Sequence, residues 1–254
     1  MMGAAERIGA RAVAAPTGMI RSSVPRLTRS IGIAVPAVVA SVVLVMVSMV
    51  SPAVKLSADT TALVLCGTTC PTPDDTYVDI VKNQYIVPTH PGQDIDYVAV
   101  TTPQEFWPLT GFMRLLGLVL GDQRIFGPGG PAWPDEPWWK LSGFFDLTAN
   151  QSLQTGAADL EAAIAANDKD HMVIYGLSQG AGVANVVKRR LADRYPAGTE
   201  GYVPDIDFVL SGDPNLPNGG LMSRFPGLYI PILDMPFNGP AATDTEFQTV
   251  EISR

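Results

Sequence analysis

A Gly-x-Ser-x-Gly motif at residues 176–180 constrains this chain more than any other feature. The apolar run His171–Tyr175 before it predicts a short strand, and the apolar residues of Gly182–Leu191 recur at helical spacing after it. A serine between two glycines on a strand-to-helix turn is typical of a nucleophile elbow, because side chains at the glycine positions would clash there. The motif predicts an enzyme that uses Ser178 as its nucleophile, and the alternative is a turn with a structural role alone.

The remaining pattern alternates strands with helices, which predicts an α/β fold with a mostly parallel sheet and helices on both faces. The sequence shows no internal repeat, phosphate-binding loop or metal-ligand cluster. The predicted strands are Thr60–Leu65, Ile95–Val100, His171–Tyr175, Ile206–Leu210, Leu228–Leu233 and Phe247–Ile252, and the predicted helices are Tyr77–Tyr85, Leu153–Ala166 and Gly182–Leu191.

The amino-terminal part differs in composition from the rest. Residues 1–30 form a basic segment that we expect on the cytoplasmic side, and residues 31–51 are an almost unbroken apolar run that is long enough to cross a bilayer. The run predicts a signal anchor or, with cleavage after Ala53, a signal peptide. Residues 56–254 would then work outside the cytoplasm, either held at the cell membrane by a single span or secreted.

Charge and cysteine content limit the kinds of partner and cofactor that the sequence predicts for this chain. The net charge is −8, and the positive charge of the amino-terminal part leaves the rest strongly acidic, which argues against a nucleic-acid partner. Cys66 and Cys70 would meet an oxidising compartment, where a disulfide between them is an open alternative to two thiols. Their loop offers too few ligands for a metal, so the sequence predicts no metal and no cofactor, and it does not indicate an oligomeric state.

The turn Cys66–Pro73 directly follows the first predicted strand. In an α/β-hydrolase such a turn supplies one donor of the oxyanion hole, and the residue after the nucleophile supplies the other. The backbone N–H groups of Thr68 and Gln179 are therefore the candidate donors, with an ordinary proline-rich turn as the alternative.

Between Thr102 and Asn150 the chain becomes rich in aromatic residues and is broken by glycines and prolines. An apolar segment inserted between strands suits a lid or an acyl-chain groove over the nucleophile. The alternative, which does not exclude the first, is a hydrophobic surface facing a bilayer.

From about Thr61 to Arg254 the chain resembles the PE-PPE domain of mycobacteria, a serine-hydrolase domain of α/β-hydrolase fold related to cutinases. A membrane segment in place of a PE or PPE module is similar to the anchored cutinase-like members that act as acyltransferases on trehalose lipids of the cell envelope. One departure is Cys66, which stands where family members commonly have glycine. The segments that carry the resemblance are Gly67-Thr68 with Pro71-Thr72-Pro73, Gln104-Glu105-Phe106-Trp107-Pro108-Leu109, Gly176-Leu177-Ser178-Gln179-Gly180-Ala181, and Gly212-Asp213-Pro214-Asn215 through Gly219-Gly220.

The resemblance implies that Ser178 is the nucleophile and that Gln179 and Thr68 are oxyanion donors. It does not complete a triad, because the fold orders the triad as serine, acid and histidine, and no histidine follows Ser178. In the family the acid comes after the strand that corresponds to Phe247–Ile252, so we expect both acid and base beyond Arg254.

Residues within the chain are weaker candidates for these roles. Asp213 is a formal candidate acid, although aspartate before proline is more simply a turn former. His90 is expected in an exposed loop, and the ring of His171 is expected to point away from Ser178.

Two functions follow from these patterns. The first is an exported serine esterase, lipase or acyltransferase that acts on acyl esters of cell-envelope lipids through an acyl-enzyme on Ser178. The alternative is a non-catalytic envelope protein that binds lipid or another envelope component without a complete triad.

Overall fold

The computed structural model describes residues 59–120, 143–167 and 171–253. The strands of the main sheet are β1 (Thr60–Leu65), β2 (Ile95–Ala99), β3 (His171–Leu177), β4 (Ile206–Ser211) and β7 (Thr249–Ile252), and the short strands β5 (Tyr229–Ile230) and β6 (Met235–Pro236) form a separate antiparallel pair. The main sheet is parallel, with the strand order β2-β1-β3-β4-β7.

Alternate residues of each strand face opposite layers of helices. Leu63, Ile174 and Phe208 pack on one face against α4 (Ala149–Ala166) and α5 (Gln179–Arg194). Ala62, Val173 and Val209 pack on the other face against the helical layer that precedes β2. The parallel sheet with helices on both faces confirms the predicted α/β class.

The layer on the second face is one nearly continuous helical segment. It consists of α1 (Asp75–Val81), a π-helical turn (Lys82–Ile86) and α2 (Val87–Thr89). Asp74 caps its start by accepting a hydrogen bond from the N–H of Tyr77 at 2.7 Å. His90 ends this segment, and only 7% of it is exposed. The expectation that His90 is exposed is therefore wrong, because His90 packs against the protein at the end of this helical segment.

Two helices begin earlier than predicted. α4 starts at Ala149 behind a capping box, in which the Thr148 side chain accepts from the N–H of Gln151 and the Gln151 side chain accepts from the N–H of Thr148. α5 starts at Gln179, directly after Ser178, so its free amino-terminal N–H groups lie at the elbow.

The end of the described chain contains less strand than predicted. Only Tyr229–Ile230 of the predicted strand Leu228–Leu233 is extended, because Pro231 has no N–H to donate and starts a 3₁₀ turn. The predicted anchor at residues 31–51 lies outside the described residues. Within the described residues, no helix is long and apolar enough to cross a membrane. The remaining α-helices of the described residues are α3 (Leu109–Leu120) and α6 (Leu221–Arg224).

Candidate active site

Ser178 occupies the turn between β3 and α5, at the carboxyl end of the sheet. Its backbone has φ 52° and ψ −112°, its side chain is exposed, and its N–H donates to the carbonyl of Ser211 at 2.9 Å. A Cβ at Gly176 would lie 2.7 Å from the backbone nitrogen of Ala181, and a Cβ at Gly180 would overlap the carbonyl oxygen of Cys66. The two glycines are therefore required by close backbone approach, as the elbow motif predicts.

The two candidate oxyanion donors lie beside the serine. Thr68 and Gln179 line the same cavity as Ser178, and a Cβ at Gly67 would be 3.3 Å from the Ser178 Cβ. None of the hydrogen bonds within residues 59–120, 143–167 and 171–253 uses the backbone N–H of Thr68 or Gln179. The positive end of α5 adds to the attraction for a developing negative charge at this position.

A disulfide closes the loop that carries Thr68. Cys66 and Cys70 are bonded, with Cα atoms 5.4 Å apart, and neither cysteine is free. The N–H of Cys70 also donates to the carbonyl of Gly67 at 3.1 Å. The covalent bond and this hydrogen bond together hold the Thr68 backbone in place.

The side chain of Gln179 connects three segments around the serine. Its Oε1 accepts from the Thr68 hydroxyl at 2.9 Å, and its Nε2 donates to the Glu105 carbonyl at 2.8 Å and to the Ser152 hydroxyl oxygen at 2.9 Å. The sequence predicted a role for Gln179 through its backbone alone. The structure shows that its amide also fixes the two loops beside the elbow and the start of α4.

A buried ion network supports the Glu105 segment from behind. Arg114 of α3 has no exposed surface, and its guanidinium lies 3.2 Å from Glu105 and 3.3 Å from Asp146. Glu105 also accepts a hydrogen bond from the N–H of Leu147. Sequence reasoning missed this network, although isolated charges inside an aromatic and apolar segment are a signal for a buried pair.

Strained backbone conformations occur at Ser178 and in the loops beside it. Among the described residues, the non-glycine positions with positive φ are Thr69, Gln104, Ser178 and Asp234. Thr69 and Gln104 are joined by a backbone hydrogen bond of 3.0 Å next to the Thr68 loop. Such conformations persist only where surrounding contacts fix them, and they are typical of functional sites.

An apolar cavity of about 210 Å³ opens at Ser178. Its walls come from the Phe106 segment, from α4 and α5, and from the chain that follows β4. Besides Thr68, Ser178 and Gln179, its lining residues are Phe106, Ala149, Leu153, Gly182, Pro214, Asn215, Leu221, Met222, Met235, Pro236 and Asn238. An exposed hydroxyl at the mouth of such a cavity suits a substrate with a polar reacting group and an apolar chain.

Among the described residues of the aromatic segment, the aromatic side chains line two different pockets. Phe106 lines the cavity, whereas Phe112 and Phe144 line a separate shallow pocket between α3 and the chain at Gly143. Phe112 is 65% exposed, and Val119 and Leu120 on the same helix are also exposed. The tryptophans at positions 133, 138 and 139 lie outside the described residues.

Asp213, the candidate acid, is buried at the carboxyl end of β4. Its Oδ1 accepts from the Asn185 amide and from the N–H of Asn215, both at 2.8 Å. Burial, followed by the charge and hydrogen bond of Asp213, raises the pKa of Glu251 on β7 to about 8, and the Lys188 ammonium opposes this shift. Glu251 therefore keeps a proton near neutral pH beside Asp213, and the contacts of Asp213 fix the loop after β4.

Neither histidine lies near Ser178. His171 opens β3 and Ser178 follows its last residue, so about 20 Å of extended chain separates them. His90 lies beside His171, with ring centroids 6.1 Å apart. The expectation that the His171 ring is directed away from Ser178 agrees with this placement, and neither imidazole of the chain can serve as a base there.

Comparisons with known proteins identify a domain family and several relatives of this chain. The PE-PPE domain matches residues 91–254. Esterase PE16 of Mycobacterium tuberculosis is 35% identical over 198 residues, which cover 76% of this chain and 30% of that protein. The SL1278 acyltransferase Chp1 of the same species is 32% identical over 117 residues, 45% of this chain and 26% of that protein.

Solved structures show a weaker likeness. A cutinase-like protein from Cryptococcus sp. has a TM-score of 0.34 and 16% identity, over 76% of this chain and 75% of the other. The catalytic core of an acetyl xylan esterase from Trichoderma reesei has a TM-score of 0.37 and 16% identity, over 76% and 82%. The chain spans about a third or less of the length of the two M. tuberculosis relatives.

Proposed function

The chain belongs to the PE-PPE domain family, and on that premise we propose that it is a serine esterase or acyltransferase of cutinase-like α/β-hydrolase type. The observation that carries the proposal is the exposed Ser178 hydroxyl on a strained elbow, at the mouth of an apolar cavity and beside two unused N–H donors. The names of two relatives, an esterase and an acyltransferase, support ester chemistry.

In the proposed reaction Ser178 Oγ attacks the carbonyl carbon of an acyl ester. The N–H groups of Thr68 and Gln179 stabilise the oxyanion of the tetrahedral intermediate. The C–O bond to the alcohol then breaks, the alcohol leaves with a proton, and the acyl group remains on Ser178. Water or a sugar hydroxyl attacks this acyl-enzyme next, which gives a free acid or a new ester.

The proposal requires a general base, and neither histidine of these 254 residues lies near Ser178. The family order of serine, acid and histidine puts this base after the last strand of the sheet. We therefore assign the base to neither histidine, and Asp213 to the structural role that its contacts support.

The substrate class follows from the cavity. Its lining is mostly apolar, and Phe106, Leu153 and Met235 contribute to its walls. We propose an acyl ester of a lipid as the donor, with the chain in the cavity and the carbonyl at Ser178. Cell-envelope lipids fit this description if the domain works outside the cytoplasm.

The test compares the full-length gene product with its Ser178→Ala variant. We expect Ser178-dependent release of acid from medium-chain nitrophenyl esters, or transfer of the acyl group to trehalose esters. Imidazole added to the buffer should raise the Ser178-dependent part of this activity in the 254-residue chain, because neither of its own imidazoles lies near Ser178. If the unsubstituted full-length product shows neither reaction, the proposal is wrong.

A second candidate function is lipid binding without catalysis. The observation that favours it is the apolar cavity in a chain whose two imidazoles both lie away from Ser178. An oxyanion hole without a base leaves only weak turnover. Lipid that co-purifies with the full-length Ser178→Ala variant at unchanged stoichiometry, together with no esterase activity in the unsubstituted protein, would favour binding.

We also propose that residues 31–51 attach the domain to a membrane or direct its export. The support is the apolar length of this segment and its preceding arginines. The exposed apolar residues of α3 would then face lipid. Fractionation of cells with protease treatment of intact cells tests this proposal, and a protease-resistant domain in the cytosolic fraction would contradict it.

A further inference from the structure

The two histidines of the chain meet a carboxylate at the amino end of the sheet. His90, His171 and Asp207 each present one side-chain atom to a common space, and these atoms lie within 4.8 Å of one another. His90 is nine-tenths buried, and His171 and Asp207 are half-buried. Two imidazoles of a chain with no other histidine therefore converge at a shielded point away from Ser178.

The sheet register explains this convergence. Val173 pairs with Asp207, and His171 is two residues before Val173, so both side chains point to the same face of the sheet. That face is covered by α1, the π-helical turn and α2. His90 ends this helical layer above the start of β3 and β4.

Hydrogen bonds of Thr89 indicate which ring nitrogen of His90 carries the proton. The Thr89 hydroxyl lies 2.7 Å from the carbonyl oxygen of Tyr85, to which it donates its single proton. Its oxygen, 2.9 Å from His90 Nδ1, must therefore accept from Nδ1–H. In a neutral ring, Nε2 of His90 then carries a lone pair, and it lies 3.2 Å from Oδ2 of Asp207.

His171 adds a second nitrogen to the same carboxylate oxygen. Its Nε2 is 3.8 Å from Oδ2 of Asp207, and its Nδ1 is 3.2 Å from Oδ2 of Asp205. Both ring nitrogens are shielded from solvent, and among the described residues neither makes a well-directed hydrogen bond. In the His90 tautomer with its proton on Nδ1, the Nε2 lone pair faces a carboxylate oxygen. That contact is repulsive unless a positive charge lies between the two atoms, either a second proton on the ring or a metal ion.

We propose that His90 Nε2, His171 Nε2 and Asp207 Oδ2 bind a divalent first-row transition metal ion, with Zn²⁺ as the best match. Tetrahedral Zn²⁺ with bonds of roughly 2.0–2.1 Å has its ligands roughly 3.3 Å apart. The two contacts of Asp207, 3.2 and 3.8 Å, are close to that spacing. Imidazole and carboxylate donors suit Zn²⁺ or Co²⁺, whereas Mg²⁺ and Ca²⁺ prefer all-oxygen sites.

The surroundings match those of a ligating histidine pair. Metal-bound imidazoles commonly donate their second N–H to a carboxylate or another oxygen, which orients the ring. The Thr89 hydroxyl oxygen is in this position for His90. For His171, Asp205 Oδ2 lies 3.2 Å from Nδ1, close to this position but not aligned as a hydrogen bond. A water molecule would fill the fourth position, on the side of the exposed Asp205.

The bound ion has a structural role. It joins the end of the helical layer at His90 to β3 and β4, at the opposite end of the sheet from Ser178. It is about 20 Å from the nucleophile, so it takes no part in ester chemistry. Metal binding should therefore stabilise the fold and leave the reactivity of Ser178 unchanged.

The test uses the full chain, purified without a histidine tag and stripped with a chelator. Titration calorimetry should show one Zn²⁺ per chain, and the melting temperature should rise by about 5 °C at roughly a hundredfold excess over Kd. Co²⁺ should give the visible absorption of a tetrahedral site. Mg²⁺ at the same concentration should change nothing. The absence of a Zn²⁺-dependent shift at millimolar Zn²⁺ would overturn the proposal.

Variants assign the ligands. His90→Gln, His171→Gln and Asp207→Asn should each lower the affinity for Zn²⁺ at least about a hundredfold, and Asp205→Asn should lower it about tenfold through the outer contact. Asp193→Asn on α5 is the matched control and should bind as the unsubstituted chain does. Unchanged affinity in the first three variants would place the metal elsewhere and reject the site.

A second measurement covers the case in which a ligand variant does not fold. Selective ¹³C labelling of histidine gives two ring signals, since the chain has two histidines. Both signals should shift together and saturate at one equivalent of Zn²⁺. A spectrum in which one signal or neither responds would contradict the proposal in the unsubstituted protein.

Discussion

The two ends of strand β3 carry different chemistry and are built differently. At the carboxyl end, Ser178 is exposed, and loops hold it through a disulfide, the Gln179 amide and a buried ion network. At the amino end, His90 and His171 are shielded and meet at Asp207 within regular secondary structure. A parallel sheet can therefore keep an exposed serine and a shielded polar cluster apart at the two ends of one strand.

The first prediction concerns Ser178, the proposed nucleophile, and tests whether the two ends of β3 are independent. Ser178→Ala in the full-length product should lower acyl-transfer turnover at least about a thousandfold, because no acyl-enzyme can form. Initial-rate assays with a nitrophenyl ester measure this change. The melting temperature and the Zn²⁺ affinity should stay as they were, since the serine is exposed; a large change in either would show that the two ends are coupled.

The second prediction concerns the ion network behind the carboxyl end. Arg114→Met should lower the free energy of unfolding by about 3–5 kcal/mol, because it leaves the buried carboxylates of Glu105 and Asp146 without their cation. Urea unfolding measures the loss. Arg190→Met is the control, because Arg190 forms a half-exposed pair with Glu161 whose removal should cost about 0.5 kcal/mol. Equal losses in the two variants would refute the supporting role of the network.

The third prediction concerns the covalent closure of the Thr68 loop. The double variant Cys66→Ala/Cys70→Ser should lower the free energy of unfolding by about 2 kcal/mol. The reason is that the unfolded chain gains the conformational entropy that the short Cys66–Cys70 loop restricts. It should also reduce turnover, because the Thr68 N–H loses its fixed position. Chemical denaturation and ester hydrolysis measure the two effects. Normal turnover in a folded double variant would argue against Thr68 as an oxyanion donor.

The last prediction concerns a pH dependence of stability from the carboxylate pair near β7. The pKa of Glu251 is raised in the folded protein to about 8 from an ordinary value of 4.5, first by burial and then by Asp213. The unfolded chain therefore releases this proton at lower pH, so stability should fall as the pH rises from about 5 to 8.

Thermal unfolding across that range measures the effect. In Glu251→Gln the fall should be smaller, because a neutral amide replaces the titrating group. Glu246→Gln, at an exposed position in the preceding loop, should keep the pH dependence of the unsubstituted protein. A fall of the same size in Glu251→Gln would assign the pH dependence to other groups.

Much of the fold could be predicted from local patterns. Strand β1 has the bounds that the sequence predicts, and the elbow lies between its predicted strand and helix. The structure differs from the predicted elements where two local rules compete. At Pro231, for example, the proline interrupts an otherwise apolar strand pattern. The start of α4 was missed because the capping box of Thr148 and Gln151 precedes the residues at which the apolar periodicity begins.

The site could be predicted only in part. Ser178, Thr68 and Gln179 follow from a motif and a turn, whose geometry depends on neighbours in the sequence. Glu105 and Arg114 could not be assigned, since their partners Asp146 and Ser152 come from a later segment. The Asp213 contacts with Asn185 and Glu251 likewise join residues of three elements.

The α/β class and the elbow motif can be predicted from the sequence alone, because strand periodicity and the two glycines of the motif act through residues close along the chain. The tertiary structure alone decided which distant polar groups meet. His90 and Asp207 are 117 positions apart with His171 between them, and no spacing rule connects the three. Parallel strand register and the packing of the helical layer bring them together, since these set which side chains share one end and one face of the sheet.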